Sequence, residues 1–313
     1  MLQYCGVWQI IFTFVCYMIN KEWRGNYYFW LMKIAMTKAE LQAQLNEIRG
    51  EKLVGFVPTM GGLHEGHMSL VERSLRECEL TVVSLFLNPT QFNDPNDLKT
   101  YPHDMAEDLK LLGEVGVDIV FTPTAEDMYE EGEEAPHFDL GRVAEVMEGE
   151  HRPGHFRGVV WVVSKLFRLV KPNRAYFGLK DFQQIAVIKR MVELCPDMQG
   201  IEIISCPVVR ESDGLAMSSR NRRLSTAERA AAPKIYEALL EGKRLKEAGK
   251  SVAEVHEAVV RQIEADPLLR VEYFSIVDSN TLEEPKEWCG ATTGCITVFC
   301  GEVRLIDHIT FES

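Results

Sequence analysis

The chain has 313 residues, 46% hydrophobic and 26% charged, enough to bury one large core or two ordinary ones without disulfide or metal staples. A formal net charge of -13 repels the phosphates of long nucleic acids, which argues against a nucleic-acid partner. Cys5, Cys16, Cys78, Cys195, Cys206, Cys289, Cys295 and Cys300 form no CxxC pair and no zinc-like alternation with histidine, so they read as reduced, buried thiols of a cytosolic protein.

The first 31 residues differ from the rest. Gly6 to Ile19 is an apolar run with no basic residue before it. It is shorter than the roughly 20 apolar residues of a membrane span. It also lacks the charged n-region and small-residue cleavage site of a secretory signal. A start at Met32 accounts for it better than an anchor, because the following KIAMTKAELQAQL carries an N-cap at Thr37 and a helical pattern. Residues 1–31 are therefore expected to stand outside the fold, with no membrane as partner.

From Leu53 onward, short β-branched runs alternate with helical patterns. Strands are predicted at Leu53 to Val57, Leu80 to Leu87, Asp118 to Phe121, Ala175 to Phe177 and Ile201 to Ser205. Helices are predicted between them at Glu65 to Cys78, Asp104 to Val115, Val159 to Val170 and Asp181 to Leu194. That order predicts an α/β fold for residues 32–206, a Rossmann-like doubly wound parallel sheet with ligands at the C-terminal ends of its strands. Past Cys206-Pro207 come a basic, Ser-rich loop and an Ala- and Glu-rich helical region from Thr226 to about Ala265. Strands return at Val271 to Val277, Cys295 to Phe299 and Val303 to Asp307. Residues 207–313 thus read as a second, smaller α+β domain, with a hinge near Pro207.

Two basic clusters stand out in this acidic chain: Arg152, Arg157, Lys165, Lys171, Arg174 and Lys180, then Arg210, Arg220, Arg222 and Arg223. They suggest a small polyanion such as a nucleoside triphosphate. The first strand leads into Pro58-Thr59-Met60-Gly61-Gly62-Leu63-His64-Glu65-Gly66-His67, where an amphipathic helix begins. Two glycines let the backbone approach a phosphate, and helix N-terminal amides are expected to face it. His64 and His67, three residues apart, can present both rings on one face to phosphate oxygens. An isolated pair at this spacing would more simply cap a helix or form half of a metal site. The glycines and the strand-to-helix position favour the phosphate reading.

The segment resembles the HxGH motif of the nucleotidylyltransferase superfamily, and the longer string is similar to that of the pantoate–β-alanine ligase (pantothenate synthetase) family. Phe86-Leu87-Asn88-Pro89-Thr90-Gln91-Phe92 and Arg152-Pro153-Gly154-His155-Phe156-Arg157-Gly158-Val159 agree with that family. So do Phe177-Gly178-Leu179-Lys180-Asp181-Phe182-Gln183-Gln184 and Arg210-Glu211-Ser212-Asp213-Gly214-Leu215-Ala216-Met217-Ser218-Ser219-Arg220-Asn221. The resemblance runs in family order from Met32 to the C-terminus. It implies an ATP-dependent condensation of pantoate with β-alanine through a pantoyl adenylate, yielding pantothenate, AMP and pyrophosphate. It further implies Mg2+ carried on the ATP phosphates with no metal ligands of the protein's own, and a cytoplasmic homodimer.

By the same resemblance His64, His67, Lys180, Ser218, Ser219 and Arg220 are the catalytic candidates. ATP contacts would come from these and from Pro58, Thr59, Met60, Gly61, Gly178, Asp181 and Met217. Pantoate contacts would come from Met60, Asn88, Gln91 and Gln184. Amide side chains suit a ligand with two hydroxyls and a carboxylate, since each offers donor and acceptor. Met60, Pro58 and Phe92 would wall its gem-dimethyl carbon, and Asp181 would accept from ribose hydroxyls. Met217-Ser218-Ser219-Arg220 stands where the superfamily carries a lysine-rich KMSKS loop for the β- and γ-phosphates. One departure is Leu179, where the family usually shows glutamate, and alternation at the strand end is expected to turn it away from the nucleotide.

Two other functions compete. A nucleotidyltransferase acting on a phosphorylated acceptor would need extra Lys or Arg where Asn88, Gln91 and Gln184 stand. A nucleotide-binding regulator would be expected to have lost one of His64, His67, Lys180 or Arg220, and all four are present.

Overall fold

Strand β3 (Leu80–Leu85) is buried at every position, which requires cover on both faces of its sheet. The computed structural model describes residues 32–311, so the proposed extension at 1–31 lies outside the described residues. Within them β1 (Lys33–Ala35), α1 (Lys38–Ile48), β2 (Val54–Thr59), α2 (Glu65–Glu77), β3 and α3 (Met105–Val115) come first. Then follow β4 (Ile119–Phe121), α4 (His155–Val170), β5 (Arg174–Gly178), α5 (Phe182–Leu194) and β6 (Glu202–Cys206). The strands make one parallel sheet in the order β1-β4-β3-β2-β5-β6. Side chains alternate through it. Leu80 and Val82 pack with α1, α4 and α5, whereas Val83 and Leu85 pack with α2 and α3 on the opposite face.

This strand order determines where a ligand fits. From β2 the chain moves through β3 to β4 on one side, then crosses back to β5 on the other. The C-terminal ends of β2 and β5 therefore flank a topological switch point, where the loops part and leave a crevice. The loops carrying His64 and Lys180 both open onto it.

The remainder comprises α6 (Thr226–Ala231), α7 (Lys234–Glu247), α8 (Val252–Glu264) and an antiparallel sheet of β7 (Leu269–Asp278), β8 (Thr292–Cys300) and β9 (Val303–Phe311). These elements share a core of their own, including Leu239, Val259, Ile296 and Phe311. The fold class read from the sequence is the one observed.

Several boundaries differ for identifiable reasons. The helical region expected from Thr226 to about Ala265 is three helices, because Pro233 cannot continue α6 and Gly249 (φ +84°) ends the turn after α7. Helix α4 begins at His155, a full turn before Val159. Strand β1 was not anticipated, since three residues are too short to show alternation. The six cysteines among the described residues are free thiols, four of them buried. Among the described residues no helix is long and apolar enough to cross a membrane.

One buried carboxylate joins the two sheets. Glu148, just before α4, accepts from Arg304 of β9 at 2.8 and 2.7 Å, from Tyr273 at 2.7 Å and from Thr297 at 3.0 Å. Burial alone would raise its carboxyl, but Arg304 outweighs this and holds the group at about 2. Removing one partner of such a pair strands the other charge, so Arg304→Met is expected to destabilise the protein by about 3–5 kcal/mol. The urea midpoint of the variant checks this; a loss below about 1 kcal/mol would place the pair among surface ion pairs.

Candidate active site

Beyond β2 the chain turns through Met60–Leu63 into α2. At Gly62 (φ +65°) a Cβ would lie 2.2 Å from the Pro102 carbonyl oxygen, so only glycine fits. Buried Asp108 on α3 closes the turn, its oxygens accepting from the amides of Gly62 at 2.8 Å and Leu63 at 2.7 Å. His64 then caps α2: its Nδ1 accepts from the Gly66 amide at 3.1 Å, which leaves the ring proton on Nε2. The ring lies so close over residue 66 that a Cβ there would meet it at 2.9 Å, the physical reason for glycine in His-Glu-Gly-His.

The His67 ring sits with its centroid 4.1 Å from that of His64, its Nδ1 buried without a partner. Burial first and Lys180 second bring His64 down to about 4, while burial and His64 hold His67 well below 6.5. Both rings are therefore neutral at pH 7 and act as N–H donors rather than cations.

The expectation that the amides of this turn face a phosphate is corrected. Those of Gly61, Gly62 and Leu63 donate to Thr59 and Asp108, and those of Gly66 and His67 donate back to His64. The imidazoles, not the backbone, carry the donors.

At the end of β5, Gly178 leads into a single turn, Leu179–Asp181. Leu179 packs against the core, as alternation suggested. The Lys180 ammonium lines the crevice and makes no hydrogen bond or ion pair among the described residues. Asp181 is exposed and does not cap α5 with its side chain, so its carboxylate is open to a ligand.

The Met217–Arg220 loop is tied to the first. Ser219 donates from its hydroxyl to the Gly62 carbonyl at 2.8 Å, and Arg222 donates to that of Leu63 at 3.2 Å. Of the two hydroxyls expected on the phosphates, that of Ser219 is thus spent on the backbone, whereas Ser218 only accepts, from the Arg220 amide at 3.3 Å. Arg220 is paired with Asp97 at 2.7 Å, and Arg223 shares the same carboxylate at 2.7 Å. Arg220 uses its Nε and Nη2 on Asp97, which leaves the Nη1 donors for a ligand.

Asn88 is buried and its amide is consumed: it donates to Gln91 Oε1 at 3.0 Å and accepts from Tyr129 at 2.6 Å and Thr90 at 3.0 Å. It holds Gln91 in place and has little left for a ligand. The Gln184 side chain makes no hydrogen bond among the described residues and lines the same space.

These side chains enclose a cavity of about 200 Å3 that continues into a second of about 270 Å3 bounded by β7, β8 and β9. Pro58, Thr59, Met60, His64, His67, Asn88, Gln91 and Phe92 line the first from the β2 side. Gly178, Lys180, Asp181, Gln184, Met217, Ser218, Ser219 and Arg220 close it from the other. Gly61 does not line it; it serves the turn. Sequence reasoning missed Asp108, Asp97 and Tyr101. For Asp108 the signal was a carboxylate at an inward position, four residues before the buried Leu112 of α3.

A family model described as pantoate-beta-alanine ligase matches residues 33–310. The pantothenate synthetase of Porphyromonas gingivalis is 51% identical over 284 residues, 90% of this chain and 100% of that protein. That of Bacteroides fragilis is 52% identical over 285 residues, 90% and 99% of the two chains. Among solved structures, pantothenate synthetase from Thermus thermophilus superposes with a TM-score of 0.84 at 44% identity, covering 90% of this chain and 100% of that one. The Francisella tularensis pantoate-beta-alanine ligase complexed with beta-gamma ATP and beta-alanine gives 0.74 at 33% identity, covering 90% and 98%.

The neutral histidines carry a stability consequence. His64 titrates at about 4 when folded and near 6.5 when unfolded. The unfolded chain therefore takes the proton first, and stability is lost as pH falls from 6.5 towards 4. His64→Asn keeps a capping side chain but no titration, so its stability should fall less steeply over that window, by up to about 1.4 kcal/mol per pH unit. Urea unfolding at pH 7, 6 and 5 measures the difference; parallel curves would mean that the His64 ring titrates in the fold as it does in the unfolded chain.

Proposed function

The chain belongs to the pantoate–β-alanine ligase family and condenses pantoate with β-alanine in an ATP-dependent reaction, which we propose to proceed through a pantoyl adenylate formed in the crevice between β2 and β5. The observation that carries the residue assignments is one arrangement: two neutral imidazoles and an unpaired Lys180 line a single cavity together with the uncharged amides of Asn88, Gln91 and Gln184. ATP lies with its ribose on Gly178 and Asp181, beside Pro58, Thr59 and Met60. Its phosphates lie among His64, His67, Lys180, Met217, Ser218 and Arg220. Pantoate lies against Met60, Gln91 and Gln184, with Asn88 acting through Gln91. Ser219 and Gly61 shape the two loops.

In the first step a pantoate carboxylate oxygen bonds to the α-phosphorus and the bond to the bridging oxygen breaks, releasing pyrophosphate. Negative charge grows on the α-phosphate oxygens, where the Nε2–H of His64, the His67 ring and the Lys180 ammonium supply fixed donors in a water-poor site. In the second step the amine of β-alanine attacks the acyl carbon, loses a proton and expels AMP. No covalent enzyme intermediate is needed, so positioning and charge stabilisation are the protein's whole contribution. Among the described residues no group of three or more His, Cys, Asp or Glu gathers that could hold a metal ion. We place Mg2+ on the ATP phosphates, whose charge it would neutralise.

Residues 207–313 act as a lid over residues 32–206, a reading supported by the second cavity, which both parts line. A cytoplasmic homodimer accompanies the assignment, with sedimentation as its check.

Pantoate and ATP without β-alanine should support exchange of labelled pyrophosphate into ATP; a strict requirement for β-alanine in that exchange would exclude an adenylate formed first. Removing one oxyanion donor typically costs about 2.7–4 kcal/mol, so His67→Ala should slow single-turnover adenylation by roughly a hundred- to a thousandfold. Near-normal adenylation by a less stable protein would instead make His67 a packing residue.

A further inference from the structure

Arg152 stands before α4 with its side chain only 19% exposed, and no hydrogen bond of its guanidinium is shorter than 3.2 Å. Its guanidinium reaches His155 Nε2 at 3.2 Å, the Gln91 carbonyl at 3.4 Å and Glu148 at 3.5 Å. Glu148 is already taken by Arg304 at 2.8 and 2.7 Å. The other arginines that line these cavities have close carboxylates: Arg220 and Arg223 hold Asp97 at 2.7 Å, and Arg304 also holds Glu272. Among these arginines Arg152 is the one whose charge is left under-compensated. Burial, partly offset by Glu148 and reinforced by Arg220 and Arg304, lowers its basicity, the direction expected of a buried cation short of anions.

Its position is equally specific. Arg152 lines both cavities of the active site and also an open cleft of about 440 Å3 bordered by His137, Asp139 and Arg157. It can therefore be reached from the surface while nucleotide and acid fill the crevice. The reaction presents three anions. The triphosphate has Lys180, Arg220 and the two imidazoles, and the pantoate carboxylate is the attacking group, held by neutral amides. The carboxylate of β-alanine is unchanged by the chemistry and is the one anion still without a cation.

We infer that Arg152 binds the carboxylate of β-alanine and sets the specificity for an amine that bears one. Two parallel N–H···O bonds from the planar guanidinium would replace the long contacts seen here. The guanidinium is anchored to the Gln91 carbonyl beside the acid pocket, so a carboxylate held there leaves the amine end free to reach the acyl carbon. This assignment rests on the ligase reading.

The test uses the full-length enzyme and its Arg152→Gln and Arg152→Lys variants. Pantoate-dependent pyrophosphate exchange reports adenylate formation, and steady-state kinetics are run with β-alanine and with propylamine, its analogue without the carboxylate. In Arg152→Gln the KM for β-alanine should rise about ten- to a hundredfold with exchange within about twofold of the parent, the worth of a hydrogen-bonded charge. The preference for β-alanine over propylamine should shrink by the same factor, and Arg152→Lys should fall between. An unchanged KM, or exchange that falls in step with it, overturns the assignment. If Arg152→Gln does not fold, an unchanged KM in Arg152→Lys overturns it equally. Absence of exchange in the parent enzyme would instead count against the adenylating reading itself.

Discussion

The geometry of the active site depends on the buried Asp108 carboxylate. Two amides in consecutive residues, one of them a glycine with positive φ, must turn inward for the chain to leave β2 and enter α2 at the angle it does. Inside a protein such amides need acceptors, and one carboxylate on α3 satisfies both. Burial raises the Asp108 carboxyl above its usual range, and the two amides offset only part of that. The turn thus spends stability to fix the axis of α2, and with it the direction of the His64 and His67 rings. A looser turn would leave the rings free to rotate, and a donor must be in place before charge develops on phosphorus if it is to stabilise it.

The electrostatics of the crevice follow from what is paired and what is not. His64 and His67 are held neutral by burial and by Lys180, so they add donors without adding cations that would repel it. Arg220 and Arg223 share Asp97, which keeps two guanidinium groups together at one wall. Lys180 is without an ion-pair partner among the described residues, and Arg152 nearly so. Two under-compensated cations at separate places in one space fit two separate anions, the triphosphate and the carboxylate of the incoming amino acid.

The two parts of the chain are tied by polar bonds and by one apolar cluster, in which Met147, Val143 and Phe182 pack with Val277, Leu282 and Cys295. Ser219 to Gly62, Arg222 to Leu63 and Glu148 to Arg304 join elements that belong to different hydrophobic cores. The polar bonds can break and re-form at low cost while the apolar cluster keeps the two parts together, which suits a site that must admit three substrates and release three products.

Sequence alone determined the doubly wound sheet, since strand-length and helix-length patterns alternate and short connections leave few topologies open. It also located the crevice, because the glycines after β2 and the Lys180 segment after β5 mark strand ends, and strand ends in such sheets are where ligands bind. It could not show which polar groups are already spent. Ser219, Asn88 and the amides of Gly61, Gly62, Leu63, Gly66 and His67 have the right chemistry for a ligand, yet their hydrogen bonds are made to partners up to 157 residues away. Nor could it single out Asp108, Asp97 or the junction at Arg152. A side chain's availability depends on every group packed around it in three dimensions, and only the tertiary structure brings those groups together.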